Sequence, residues 1–296
     1  MSTRQNEPIP VILDTDIGTD IDDSWALVML LNSPELRPEL ITTATLNTEQ
    51  RTVITAKMLE AAKRTDIPIG TGFKTSSDPL RMSPWVENYD IKKYKGSIYS
   101  DGVDAMINTI MNSKEKVTLI SIGPLTNVAM ALKKEPRIAE KARFVGMHGS
   151  IAKQHGGIDG AIAEYNVVQD LEASRIVFGA SWDMAITPLD TCGIVRLDGE
   201  LYKCVKECKN PLTKSLVDSY RVWLGEKSDE RRSSILYDTV AIYLAFAEEF
   251  LDVRELPIGV TKDGFTKVDE KNKKIRCALH WKSLESFKEF LVERLI

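Results

Sequence analysis

Histidine and cysteine are scarce in this 296-residue chain, which has three of the first and four of the second. So few leave little for a zinc centre, and Cys204 and Cys208, four apart in a helical segment, match no zinc-binding spacing. Together with Cys192 and Cys277 they are too few at this length for a disulfide framework, and all four read as reduced thiols. No run approaches the ~18 apolar residues that span a bilayer. The polar opening Met1-Ser-Thr-Arg-Gln-Asn-Glu-Pro8 lacks a signal-peptide core, so a cytoplasmic protein with no membrane partner is expected. Lys plus Arg at 39 against Asp plus Glu at 43 leave a net charge of -4, without the basic excess that a nucleic-acid partner requires. Low-complexity linkers and internal repeats are also missing, which predicts a single domain over residues 1–296.

What the chain does have is a concentration of acid. In Val11-Ile-Leu-Asp14-Thr-Asp16-Ile-Gly18-Thr-Asp20-Ile-Asp22-Asp23 an apolar strand runs into five carboxylates and then into the apolar segment Ser24-Trp-Ala-Leu-Val-Met-Leu-Leu31. Carboxylates packed so closely repel one another, and burial raises their pKa values unless a cation offsets the charge. A divalent metal resolves the conflict. All-oxygen ligands suit a hard cation, calcium or magnesium. The alternative is a solvated acidic turn in which Asp22 only caps a helix.

Short β-rich runs at 10–13, 40–44, 67–70, 117–120, 144–147 and 184–187 alternate with helical patterns at 25–31, 51–63, 104–111, 125–132 and 170–178. That alternation predicts an α/β fold with a mostly parallel central sheet and helices on both faces, a Rossmann-like open sheet. Asp14 and Asp16 then lie at the carboxyl end of the first strand, the edge at which such sheets bind ligands, and Asp22 and Asp23 in the first turn of the next helix. Residues 74–102 show little periodicity and read as an irregular insertion over that edge, a place for a lid. Residues 201–248 look helical with a polar break at 225–234, and 275–279 with 283–295 read as a last strand and closing helix.

Three more patches fall at strand-to-helix junctions: Ile120-Ser-Ile122-Gly123-Pro124-Leu-Thr126-Asn127, Ala163-Glu164-Tyr165-Asn166 and Leu236-Tyr237-Asp238-Thr239. With the acidic run, these make the chain resemble the inosine-uridine-preferring nucleoside hydrolases over nearly its whole length. Position by position, the resemblance implies a calcium ion held by Asp16, Asp23, Asp238 and the carbonyl of Ile122. Asp16 would also be the general base toward a metal-activated water. It implies ribose contacts from Asp22, Asn47, Glu164 and Asn166, with Met147 in the sugar floor, a ribonucleoside as substrate, and a homodimer or homotetramer. Such a site suits the reaction, because breaking the N-glycosidic bond builds positive charge on the ribose and surrounding carboxylates stabilise it.

The chain departs from the family pattern in several places. Thr19-Asp20 is a two-residue addition between Gly18 and Ile21, and Asp20 is an alternative to one of the following acids. Tyr237 stands where related hydrolases often carry a histidine that protonates the base; as a catalytic candidate it can donate a proton, stack, or do neither. The His-Gly run usual after the first loop is replaced by Ile98-Tyr-Ser-Asp-Gly102, and the loop before Glu164 offers His155 or Asp159 as pocket residues. His148 is either structural or part of the sugar floor, and His280 reads as structural. Trp223 is a candidate for stacking on the base, with core packing as its alternative. Two other functions fit parts of the pattern: a nucleoside- or ribose-binding protein without leaving-group activation, and a phosphatase of the haloacid dehalogenase type, whose nucleophile loop also begins Asp-x-Asp.

Overall fold

In the computed structural model, which describes residues 7–225 and 231–296, ten strands form one sheet. They are β1 (Ile9–Thr15), β2 (Leu36–Thr43), β3 (Ile69–Thr71), β4 (Ile98–Tyr99), β5 (Val117–Ser121), β6 (Ala142–Gly146), β7 (Met184–Ile186), β8 (Leu251–Val260), β9 (Thr266–Val268) and β10 (Lys274–Trp281). Their order is β4-β3-β2-β1-β5-β6-β7-β10-β8-β9. The first eight in that order are mutually parallel, β8 adds antiparallel to β10, and β9 adds antiparallel to β8.

Side chains of a strand alternate between faces, and β1 shows why both faces must be covered: Val11 and Leu13 enter one core, Ile12 the other. The helices Asp22–Leu31, Thr48–Ala61, Pro211–Leu224 and Leu284–Leu295 pack on the first face, and Gly102–Asn112, Thr126–Lys134 and Leu171–Gly179 on the second. A strand buried on both faces must read as a continuous apolar run, and β1 and β5 do.

From β1 the chain steps outward through β2, β3 and β4, then returns to β5 on the other side of β1 and steps the opposite way through β6 and β7. The order therefore reverses between β1 and β5. A crevice opens at that switch point beyond the strands' carboxyl ends, where open α/β sheets bind ligands. Asp16 follows β1, Ile122 follows β5 and Met147 follows β6, so three of the expected residues reach one crevice by topology alone.

The insertion at 74–102 is anchored. Its Leu80, Met82, Trp85, Val86 and Tyr94 are buried in the first core, and the Met82 N–H donates to the Gly18 carbonyl at 3.1 Å. Its end pairs with β3 as β4. The tail contains more sheet than the sequence pattern predicts, because β8 and β9 precede the expected last strand. The opening residues 1–6 and part of the polar break at 225–234 lie outside the described residues. Among the described residues, no helix is long and apolar enough to cross a membrane.

Candidate functional site

A cavity of about 470 Å³ sits at the switch point. Asp16, Thr19, Asp20, Asp22, Asp23, Arg81, Ile122, Met147, His155, Glu164, Tyr165, Asn166, Tyr237 and Asp238 line it. Asp22 and Asp23 open the helix Asp22–Leu31, whose capping residue Ile21 offers no side-chain acceptor, and Asp238 precedes the helix Thr239–Leu244 without capping it. The carboxylates of Asp22, Asp23 and Asp238 can each present an oxygen within 4.8 Å of the other two.

All three are buried, and burial followed by repulsion from neighbouring carboxylates, Asp16 and Asp20 among them, pushes each well above the ordinary carboxylate range. Hydrogen bonds offset part of this: the Thr15 hydroxyl donates to Asp23 Oδ1 at 2.5 Å, and a bond with Asp238 lowers Asp22. Asp16 is pushed up to about 6 by burial, opposed by the guanidinium of Arg51, 3.9 Å from Asp16 Oδ2. Gly123 is required beside it, because a Cβ there would stand 2.8 Å from Asp16 Oδ1 and 2.9 Å from its backbone nitrogen. Gly18, at φ +110°, supplies the turn that brings the chain from Asp16 to the added Thr19-Asp20.

Oxygen donors on the sheet side are held as firmly. Asn166 Nδ2 donates to the Ile122 carbonyl at 3.2 Å and to the Met147 carbonyl at 3.1 Å. Glu164 receives the N–H groups of Asn166 (2.7 Å), Gly149 (3.0 Å) and Val167 (3.2 Å), yet burial still raises it to about 7. Below the cavity, Asp14 accepts from Thr42 at 2.6 Å and Asn127 at 2.9 Å, and Asn127 also accepts from Phe73 N–H at 2.9 Å. That network ties β1 to β2 and to the insertion.

A profile of the inosine-uridine preferring nucleoside hydrolases matches residues 11–288. The chain belongs to that family. It is therefore an N-ribohydrolase, a glycosidase acting on N-glycosyl compounds, and the family match overturns the phosphatase alternative. The pyrimidine-specific ribonucleoside hydrolase RihA of Escherichia coli O1:K1 is 29% identical, covering 86% of this chain and 85% of its own, and the protein of the same name from Salmonella paratyphi B is 28% identical over the same shares. Among solved structures, a plant nucleoside hydrolase, the PpNRh1 enzyme, superposes with a TM-score of 0.83 at 23% identity over 97% of this chain and 99% of that one. A purine-preferring ribonucleoside hydrolase from Gardnerella vaginalis gives 0.77 at 22% over 97% and 98%. These two share the fold.

In this nucleoside hydrolase, ten of the twelve residues singled out from the sequence surround one cavity, and the two that do not have other partners. Asn47 caps the helix Thr48–Ala61: its Oδ1 accepts from Gln50 N–H at 3.1 Å, and its Nδ2 donates to the carbonyls of Ser77 at 3.2 Å and Asp78 at 3.3 Å. Its amide is engaged with the helix and the insertion, and it does not line the cavity. Trp223 lies behind the acidic loop, where Nε1 donates to the Thr19 carbonyl at 3.2 Å and Arg81 covers the ring at 4.0 Å. It stacks on Tyr220, and both line a neighbouring cavity of about 330 Å³ that shares Asp20 and Tyr237 with the first.

Sequence reasoning missed Arg51, which is 0% exposed. It donates to the carbonyls of Thr45 (3.0 Å) and Ile17 (2.8 Å) and to the Thr19 hydroxyl (3.0 Å). A surplus of buried acid signals that some cation must stand near it, but the pattern around Arg51 gives no hint that this arginine points inward.

Proposed function

We propose that this nucleoside hydrolase uses one calcium ion and releases ribose from a ribonucleoside with Asp16 as the general base. The observation that carries the metal assignment is the buried trio Asp22, Asp23 and Asp238, with three oxygens within 4.8 Å of one another. Carboxylates with a backbone carbonyl are calcium's preferred donors, in a coordination shell more tolerant than magnesium's octahedron. Asp23, Asp238, the Ile122 carbonyl and Asp16 would hold the ion, and Asp22 would be shared with a ribose hydroxyl. When bound, the ion neutralises the trio and lowers the pKa of an attacking water.

The side chains divide the remaining work. Asp16, raised to about 6 by burial, is deprotonated at neutral pH and still basic enough to take a proton from water. Asn166 fixes the Ile122 carbonyl and, with Met147 and Glu164, forms the sugar's far wall. As the glycosidic bond breaks, the ribose becomes cationic, and the carboxylates on both sides stabilise it more than the neutral substrate. A single-domain, cytoplasmic enzyme of nucleoside salvage, assembled as a homodimer or homotetramer, completes the proposal.

The test is reducing-sugar release from uridine, cytidine, inosine, adenosine, guanosine and p-nitrophenyl riboside, with and without a chelator. We expect turnover that disappears on chelation, returns with calcium and is lost in Asp16→Ala. Pyrimidine nucleosides head the panel because the relatives at 28–29% identity are named pyrimidine-specific. Calcium-dependent binding without release of sugar from any substrate would make the chain a binding protein.

A further inference from the structure

Asp20 from the Thr19-Asp20 dipeptide, His155 from the glycine-rich loop and Tyr237 beside Asp238 all line the cavity. His155 Nδ1 is 2.9 Å from the Tyr237 hydroxyl, with the rings edge to face at 5.6 Å and 85°. The imidazole is exposed to solvent, whereas the phenol is half-buried.

The loop that presents His155 is built to hold it. Buried Asp190 accepts the N–H groups of Ile151 (2.8 Å), Ala152 (2.8 Å) and Lys153 (3.2 Å) at its base. Gly156 and Gly157, at φ +73° and +77°, make the tip, and Gly156 N–H donates to the Gly193 carbonyl at 2.8 Å. Asp20, whose position follows from the clamping of Thr19 by Arg51 and Trp223, interacts electrostatically with both His155 and Arg81. Of the charged groups nearby, Asp20 faces the imidazole, Asp22, Asp20 and Arg196 act on the Tyr237 phenol, and Lys153 and Asp159 on the His155 loop pair with each other at 2.5 Å.

We infer that His155 and Tyr237 protonate the departing base together, His155 as the source of the proton and Tyr237 as the bridge that passes it on. The inference rests on the hydrolase reading above. A phenol is a poor acid at neutral pH, but one that accepts a proton on its oxygen while releasing its own never becomes a phenolate. The electron pair of the C1′–N bond goes to the base, which takes the Tyr237 hydroxyl proton as His155 Nδ1–H replaces it. Water supplies the oxygen that bonds to C1′ and gives a proton to Asp16. The neutral imidazole is reprotonated from solvent and Asp16 returns its proton there, so the sum is nucleoside plus water to ribose plus base.

The experiment compares His155→Gln, Tyr237→Phe and the double variant in the calcium-loaded enzyme, on a natural nucleoside and on p-nitrophenyl riboside, whose leaving group departs as an anion. Each single variant should lower kcat on the nucleoside by about 10²-fold, within the usual range for general acid catalysis, and on the activated riboside by less than about 5-fold. The double variant should be no slower than the worse single one, because the two act as a unit. Equal losses on both substrates or multiplying losses in the double variant would overturn the relay while leaving the hydrolase reading intact. Absence of ribose release by wild type from either substrate would overturn both.

Discussion

Replacing Arg51 by methionine should show how much of this fold depends on a resident cation beneath the acidic loop. The guanidinium is inaccessible to solvent, donates to two carbonyls and a hydroxyl, and lies 3.9 Å from Asp16. A unit charge pair at that separation is worth about 4 kcal/mol at an effective dielectric near 20. Removing one partner of a buried pair costs roughly 3–5 kcal/mol, since the remaining charge stays desolvated. Methionine also leaves the Thr45 and Ile17 carbonyls without this donor. The expected loss is therefore about 3–5 kcal/mol of unfolding free energy, read as a lower urea midpoint by tryptophan fluorescence in the presence of a chelator. Calcium should narrow the deficit, because the ion and Arg51 offset the same acids and binding to the native state adds stability by mass action. Arg51→Lys should fall in between, as one ammonium cannot serve three acceptors in a planar fork. A methionine variant within about 1 kcal/mol of wild type in chelator would refute the account, because it lies below the range for a broken buried pair.

Three further expectations are independent of that one. Gly123→Ala should keep the fold but lower kcat at least 10-fold, in the range for disturbed positioning of a catalytic group, because its methyl would displace Asp16; wild-type rates would show that Asp16 is not held where the chemistry needs it. His148 is buried, its Nε2–H donates to the Gly123 carbonyl at 3.1 Å, and burial lowers it from 6.5 to about 4. The folded state holds the neutral ring, so this stabilisation is complete above pH 6.5 and is lost as pH falls toward 4. Wild type should accordingly lose about 3 kcal/mol more than His148→Gln between pH 7 and 4, and parallel pH profiles in urea unfolding would reject the assignment. Asn47→Ala should cost about 1 kcal/mol as a lost helix cap with KM unchanged; a raised KM would return Asn47 to the substrate.

The parts of the fold legible in the sequence are those where burial dictates composition. Residues 10–13 and 117–120 are apolar because β1 and β5 are covered on both faces, and the reversal between them explains why Asp16 and Ile122 meet. β8 escaped because Asp252, Arg254 and Glu255 interrupt its apolar pattern where it faces solvent, and β4 because two exposed residues carry no period at all. Asn47 is ambiguous for a related reason: an asparagine after a strand suits both a sugar hydroxyl and a helix cap, and its bonds to the carbonyls of Ser77 and Asp78, some thirty residues away, show only in the fold. Arg51 was invisible because nothing local distinguishes a buried arginine from an exposed one.

The two ends of the cavity are built from different material, with consequences for how the enzyme can change. The sugar end stands on strand termini: Asp16, Ile122 and Met147 follow β1, β5 and β6, and moving any of them means moving the sheet. The opposite end is made from the added dipeptide, the glycine-tipped loop and the segment before Asp238, three stretches joined by a handful of hydrogen bonds: Arg51 and Trp223 to Thr19, Met82 to Gly18, and His155 to Tyr237. Substitution among Asp20, His155 and Tyr237 can therefore reshape that end of the cavity without moving Asp16, Ile122 or Met147, which are fixed by the sheet.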